Sequence, residues 1–128
     1  METKGANDLV NEAKLQIENL TPEQVHQEIE NGNANLIDIR ESEELKESGR
    51  IPGSVHAPRG MLEFYADPSL PYHKPEFSRD KKIILHCAGG GRSALAAATL
   101  KQMGYAHVGH LEGGLKAWKE AGKPLEQG

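Results

Sequence analysis

The chain has 128 residues, fifteen basic and nineteen acidic side chains, and a formal net charge of −4. That length is one domain around one hydrophobic core, with no room for a second catalytic domain, and the absence of a long run of one sign argues against a nucleic-acid surface or a membrane-binding helix. The single cysteine, Cys87, excludes an internal disulfide, C-x-x-C redox chemistry and a cysteine-based zinc site within one chain.

Ala6, Leu9, Val10, Ala13 and Ile17 recur at helical spacing and predict an amphipathic helix, so residues 1–19 are read as a helical extension and 20–128 as the domain proper. Thr21-Pro22-Glu23-Gln24 is a helix start, with Thr21 as N-cap, Pro22 at the first helical position and Gln24 completing a capping box. Val25 and Ile29 supply that helix with its apolar stripe, and Asn31-Gly32 ends it. Leu36-Ile37-Asp38-Ile39-Arg40 is short and branched, as a buried strand is. Glu43, Glu44 and Leu45 open a short helix that stops at Gly49, and Ile51-Pro52-Gly53-Ser54 has the residue order of a type II turn before a short strand, Val55-His56-Ala57.

Met61 to Phe77 holds four of the six aromatic residues, Phe64, Tyr65, Tyr72 and Phe77, together with three prolines. It is read as an ordered excursion forming a wall or lid over a pocket, since disordered tracts are poor in aromatics. Lys74, Arg79, Lys81 and Lys82 are read as solvated charges flanking the next strand, Ile83 to Leu85. A helix over Ala94 to Leu100, capped by Gly104, a last strand over Tyr105 to Val108, and a helix after Gly113-Gly114 carrying Leu115 and Trp118 complete the chain. Strands alternating with helices predict an α/β fold whose mainly parallel central sheet is covered by helices on both faces. Ligands bind outside the carboxyl ends of such strands, where Cys87 falls.

The stretch that carries chemistry is Cys87-Ala88-Gly89-Gly90-Gly91-Arg92-Ser93. A strand, a glycine-rich turn and a helix start in that order aim several N–H groups and the positive end of a helix dipole at one point, which suits an anion. A lone cysteine is ordinarily a small buried hydrophobe. Beside three glycines, an arginine and a helix N-terminus it reads instead as a nucleophile kept as thiolate, with Arg92 as the cation and Ser93 as a helix cap.

Four segments together resemble the rhodanese-like sulfurtransferases over Leu20 to Pro124. Leu36 to Arg40 is similar to the family's D-x-R strand, Gly49 to Pro58 to its G-x-I-P-G-A segment, Cys87 to Ser93 to its C-x-x-G-x-R-S loop, and Leu111-Glu112-Gly113-Gly114-Leu115-Lys116-Ala117-Trp118 to its L-x-G-G-x-x-A-W motif. The resemblance implies a rhodanese-like three-layer fold and a Cys87 persulfide that carries a sulfane sulfur from thiosulfate or a similar small donor to a thiophilic acceptor, cyanide or a thiol, a protein thiol included. Ala88, Gly89, Gly90, Gly91, Arg92 and Ser93 would bind the substrate, with no metal and no organic cofactor. Related phosphatases and arsenate reductases place five residues between cysteine and arginine; four intervene here, a smaller cradle better suited to one sulfur atom. A partner-binding or redox-sensing module is the other alternative.

Among the remaining polar residues, Asp38 and Arg40 are expected to hydrogen-bond structurally, and His86 to pack on the face opposite Cys87 because adjacent strand residues diverge. His56 is an even choice between site wall and turn, Glu112 is read as a surface or capping group, and Trp118 as core. The first residues lack a basic leader followed by an apolar core and no stretch has the length of a membrane span, so a cytoplasmic protein with neither nucleic acid nor membrane as partner is expected.

Overall fold

Alternation along two strands decides the architecture. In the computed structural model, which describes residues 3–128, β2 (Ala34–Asp38) and β4 (Lys82–His86) lie side by side in parallel, Leu36 opposite Ile84 and Ile37 opposite Leu85. Ile37, Ile83 and Leu85 face one hydrophobic cluster while Leu36 and Ile84 face another, so both surfaces of the sheet must be covered. Strands β1 (Glu18–Leu20), β3 (Val55–His56) and β5 (Val108–Leu111) complete a five-stranded, wholly parallel sheet in the order β1-β5-β4-β2-β3. All five carboxyl ends therefore emerge at one edge.

Helices α4 (Leu62–Ala66) and α5 (Gly91–Gln102) cover the first surface, with α1 (Ala6–Lys14) laid against α5. The small side chains of Ala96 and Ala97 let α5 lie close to the sheet, buried with Leu100 against Ile37, Ile83 and Leu85. On the other surface α2 (Pro22–Glu30) supplies Val25, and α6 (Gly114–Glu120) supplies Leu115 and Trp118. The three-layer α/β arrangement is the one expected. The start of α2 follows the capping-box reading in detail, with Gln24 N–H donating to Thr21 Oγ1 and Thr21 N–H to Gln24 Oε1. The turn before β3 closes with Ser54 N–H donating to Ile51 O at 3.1 Å.

Three strands depart from the expectation. The second spans Ala34–Asp38, not Leu36 to Arg40, so Ile39 and Arg40 lie beyond its end. The last begins at Val108, not Tyr105, because Tyr105 is committed elsewhere: its buried hydroxyl donates to Ala66 O at 2.5 Å and reaches Phe77 O at 3.2 Å. Strand β1 is not legible in the sequence, since it is three residues long with only Leu20 buried. The aromatic excursion is the crossover from β3 to β4, tied down by buried Leu62, Ala66 and Phe77. Phe64 and Tyr72 remain exposed, and none of its hydrogen bonds reaches residues 87–93. No helix among the described residues is long and apolar enough to cross a membrane.

Asp38 and Arg40 form a buried pair at the carboxyl edge. Arg40 Nη2 donates to Asp38 Oδ2 at 2.8 Å and Nε to Oδ1 at 3.0 Å, while Nη2 also holds Gly49 O at 2.8 Å, anchoring the end of α3 (Ser42–Ser48). Burial pushes the Asp38 carboxyl up, but the hydrogen bonds and charge of Arg40 together with the neighbouring His86 outweigh it and hold the group below its ordinary value. Its contribution to stability is thus present above the unfolded value near ~3.9 and is lost as pH falls through the lower folded one. Asp38→Asn leaves a buried guanidinium unpaired and is expected to destabilise the fold by roughly 3–5 kcal/mol, measured by urea unfolding at neutral pH; a loss below ~1 kcal/mol contradicts the pairing.

Candidate active site

The loop 87–93 joins the end of β4 to the start of α5, and its backbone turns toward the cysteine. Gly90 N–H points at Cys87 Sγ at 3.2 Å and Ser93 N–H at 3.4 Å. The thiol is only 1% exposed, yet it is not surrounded by hydrocarbon alone, because two peptide dipoles and the Ser93 hydroxyl, at 3.6 Å, face it.

Two features hold the loop in that shape. Gly90 is the N-cap of α5 with φ +105°, a conformation that favours glycine, and a Cβ there would sit 3.2 Å from Gly113 N. From the other side, the first turn of α6 takes the loop's carbonyls: Leu115 N–H donates to Cys87 O at 2.9 Å and Lys116 N–H to Ala88 O at 3.1 Å. Gly114 makes that approach feasible, since a Cβ on it would meet Ala88 O at 2.5 Å. The double glycine of the L-x-G-G segment therefore serves the loop directly.

Every residue named from the sequence for the site lies in this loop or at its helix start, in altered roles for two. Ser93 is not the helix cap: Gly90 occupies that position, and the Ser93 hydroxyl lies against Gly90 O at 3.2 Å and His110 Nδ1 at 2.8 Å. Arg92 is not a free cation, since its Nη1 and Nη2 both bind the Glu44 carboxylate, at 2.9 and 2.8 Å. The Arg92 hydrogen bonds outweigh partial burial and draw the Glu44 carboxyl down to about 2, and Glu44 in turn raises the Arg92 guanidinium further.

His86 is fully buried with its ring 3.4 Å from Asp38 Oδ2, in the Asp38 register position and away from the sulfur. Burial pushes its pKa down. His56, the last residue of β3, has Nε2 2.7 Å from Arg40 O. Glu112 pairs with Lys14 at 2.5 Å and so fastens α1 to the sheet. Among the described residues no group of three or more His, Cys, Asp or Glu side chains is placed to hold a metal ion.

Sequence reasoning missed Glu44 and His110. Glu44 was visible only as a helix-start residue, and its partner lies 48 positions away, beyond any local pattern. His110 pairs with Leu85 across β4 and β5, which a last strand placed three residues early could not show.

Residues 21–121 match the family model described as a rhodanese-like domain. A sulfurtransferase of Allochromatium vinosum is 33% identical over 90 residues, which is 70% of this chain and 76% of that protein. The thiosulfate sulfurtransferase GlpE of Actinobacillus succinogenes is 31% identical over 107 residues, 84% of this chain and 88% of that protein. Among solved structures, a Rhodopseudomonas palustris protein of unknown function, described as a possible tyrosine phosphatase, superposes with a TM-score of 0.91 at 45% identity, covering 98% of this chain and 97% of that one. With the family model spanning most of its length, and a cysteine loop seated as described, the chain belongs to the rhodanese-like domain family.

Proposed function

We propose that the protein moves a sulfane sulfur from thiosulfate or a similar donor to cyanide or a thiol through a persulfide on Cys87. The observation that supports this most directly is the convergence of the Gly90 and Ser93 amides on Sγ, a cradle for an ionised sulfur. In the first half-reaction the thiolate attacks the outer sulfur of thiosulfate; a bond to Cys87 forms as the donor's S–S bond breaks, and sulfite leaves with the electron pair. In the second, the acceptor takes the outer sulfur and Cys87 departs as thiolate. Neither displacement requires a proton at the transferred sulfur, so fixed amide dipoles suffice, and they need no reorganisation as charge moves.

The four-residue spacing between Cys87 and Arg92 favours this reading over phosphate-ester hydrolysis. Incubation with thiosulfate followed by intact mass measurement is expected to show a gain of one sulfur atom, absent in Cys87→Ser and reversed by cyanide or a thiol. No gain in the native protein, or release of phosphate from an aryl phosphate at comparable rates, overturns the proposal.

The Arg92–Glu44 pair bears on donor affinity. An anionic donor must share the guanidinium with a carboxylate that keeps its charge until the pH approaches 2, so the competition persists through neutral and mildly acidic conditions. Glu44→Gln is expected to lower KM for thiosulfate about three- to tenfold and Arg92→Gln to raise it by a similar factor, the range of one partly exposed charge contact. Steady-state kinetics with both variants checks this, and an unchanged KM in Arg92→Gln refutes it.

A further inference from the structure

A chain of side chains leads from the sulfur to the surface. Cys87 Sγ is 3.6 Å from Ser93 Oγ, Ser93 Oγ is 2.8 Å from His110 Nδ1, and His110 Nε2 is 2.9 Å from Asn19 Oδ1. Cys87, Ser93 and His110 are buried and Asn19 is exposed. The direction of each hydrogen bond follows from the far end. Asn19 Nδ2 lies within reach of two carbonyls, Lys14 O at 3.0 Å and Ile17 O at 3.4 Å, which turns its oxygen toward the imidazole. An amide oxygen only accepts, so Nε2 carries the hydrogen and Nδ1 of the neutral ring is an acceptor. The Ser93 hydroxyl then donates to Nδ1, the shorter of its contacts with an acceptor, Gly90 O being at 3.2 Å. Its lone pairs remain to accept from the thiol.

We infer that His110, acting through Ser93, receives the proton that the resting Cys87 thiol gives up, and so serves as a positioning residue for the nucleophile; this rests on the reading of Cys87 as the sulfur carrier. The S–H proton passes to Oγ as the O–H proton passes to Nδ1. One S–H and one O–H bond break, one O–H and one N–H bond form, and thiol plus imidazole become thiolate plus imidazolium with no change in oxidation state. The Gly90 and Ser93 amides face the new anion. Asn19 Oδ1 and, at 3.8 Å, Glu112 Oε2 face the new cation, with Lys14 bound to the same Glu112 carboxylate from α1. Before transfer the ring is neutral: burial pushes its pKa down, Glu112 draws it up and Lys14 down again.

The test is the pH dependence of Cys87 alkylation by iodoacetamide in the full chain, with each variant's fold checked by circular dichroism and thermal unfolding. His110→Asn places an amide oxygen near the position of Nδ1, which can accept the Ser93 hydrogen bond but not a proton. It is expected to move the alkylation midpoint up by about one pH unit, roughly tenfold slower reaction at neutral pH. Asn19→Asp, at an exposed position, makes the imidazole more basic and is expected to move the midpoint down. A folded His110→Asn with the native midpoint overturns the inference. If that variant does not fold, the sign for Asn19→Asp decides: a downward shift supports the relay, and an unchanged or upward one overturns it. Alkylation needs no sulfur donor, so failure of the native protein to take sulfur from thiosulfate would defeat the sulfurtransferase reading while leaving this measurement intact.

Discussion

Two carbonyls and two amides within the loop face opposite ways, and the site depends on that division. The first turn of α6 binds the carbonyls of Cys87 and Ala88. Further along the same loop, the N–H groups of Gly90 and Ser93 face Sγ. A peptide plane whose oxygen is engaged cannot rotate freely, so the hold on one side of the loop stabilises the cradle on the other. Helix α6 is itself fixed by Trp118, which is buried in the second core cluster and donates from Nε1 to Pro124 O at 2.8 Å. The packing of one core is thereby coupled to the geometry around a sulfur atom that belongs to the other.

Charges around the carboxyl edge of the sheet are arranged in pairs. Asp38 and Arg40 are fully desolvated and bidentate, and they tie the end of α3 to β2. That places α3 where Glu44 meets Arg92, partly exposed at the start of α5. The outer pair thus joins segments that follow different strands of the same sheet, α3 after β2 and α5 after β4. The buried pair depends on geometry, because either charge alone would be strongly disfavoured in the interior. The outer pair keeps water on one side and can be opened by a competing anion at modest free-energy change.

Where the backbone conformation follows from neighbouring residues, the sequence was informative. The capping box at Thr21, the turn at Ile51 to Ser54, the alternating strands and the glycine-rich connection from Cys87 to α5 all involve residues within a few positions of one another. The same holds for His86, whose direction away from Cys87 follows from the strand's period of two. The role of Ser93 was misread for a related reason: its residue type suits a cap, but three preceding glycines moved the cap to Gly90 and left the hydroxyl to face Sγ and His110.

Side-chain partners distant in sequence were decided by the fold. Arg92 meets Glu44 across 48 positions, and Ser93 meets His110 across 17, only because β5 lies beside β4 and α3 returns to the same edge. Asn19 reaches His110 because a three-residue edge strand, too short and too polar to leave a periodic signal, pairs it in register. By itself the chain determined that a single cysteine would stand at a glycine-lined helix entrance on a parallel sheet, since torsional preference and hydrophobic period act locally. Which charges and hydrogen-bond partners surround that cysteine was settled by tertiary structure alone, since strand order and register, not spacing along the chain, set the distances between them.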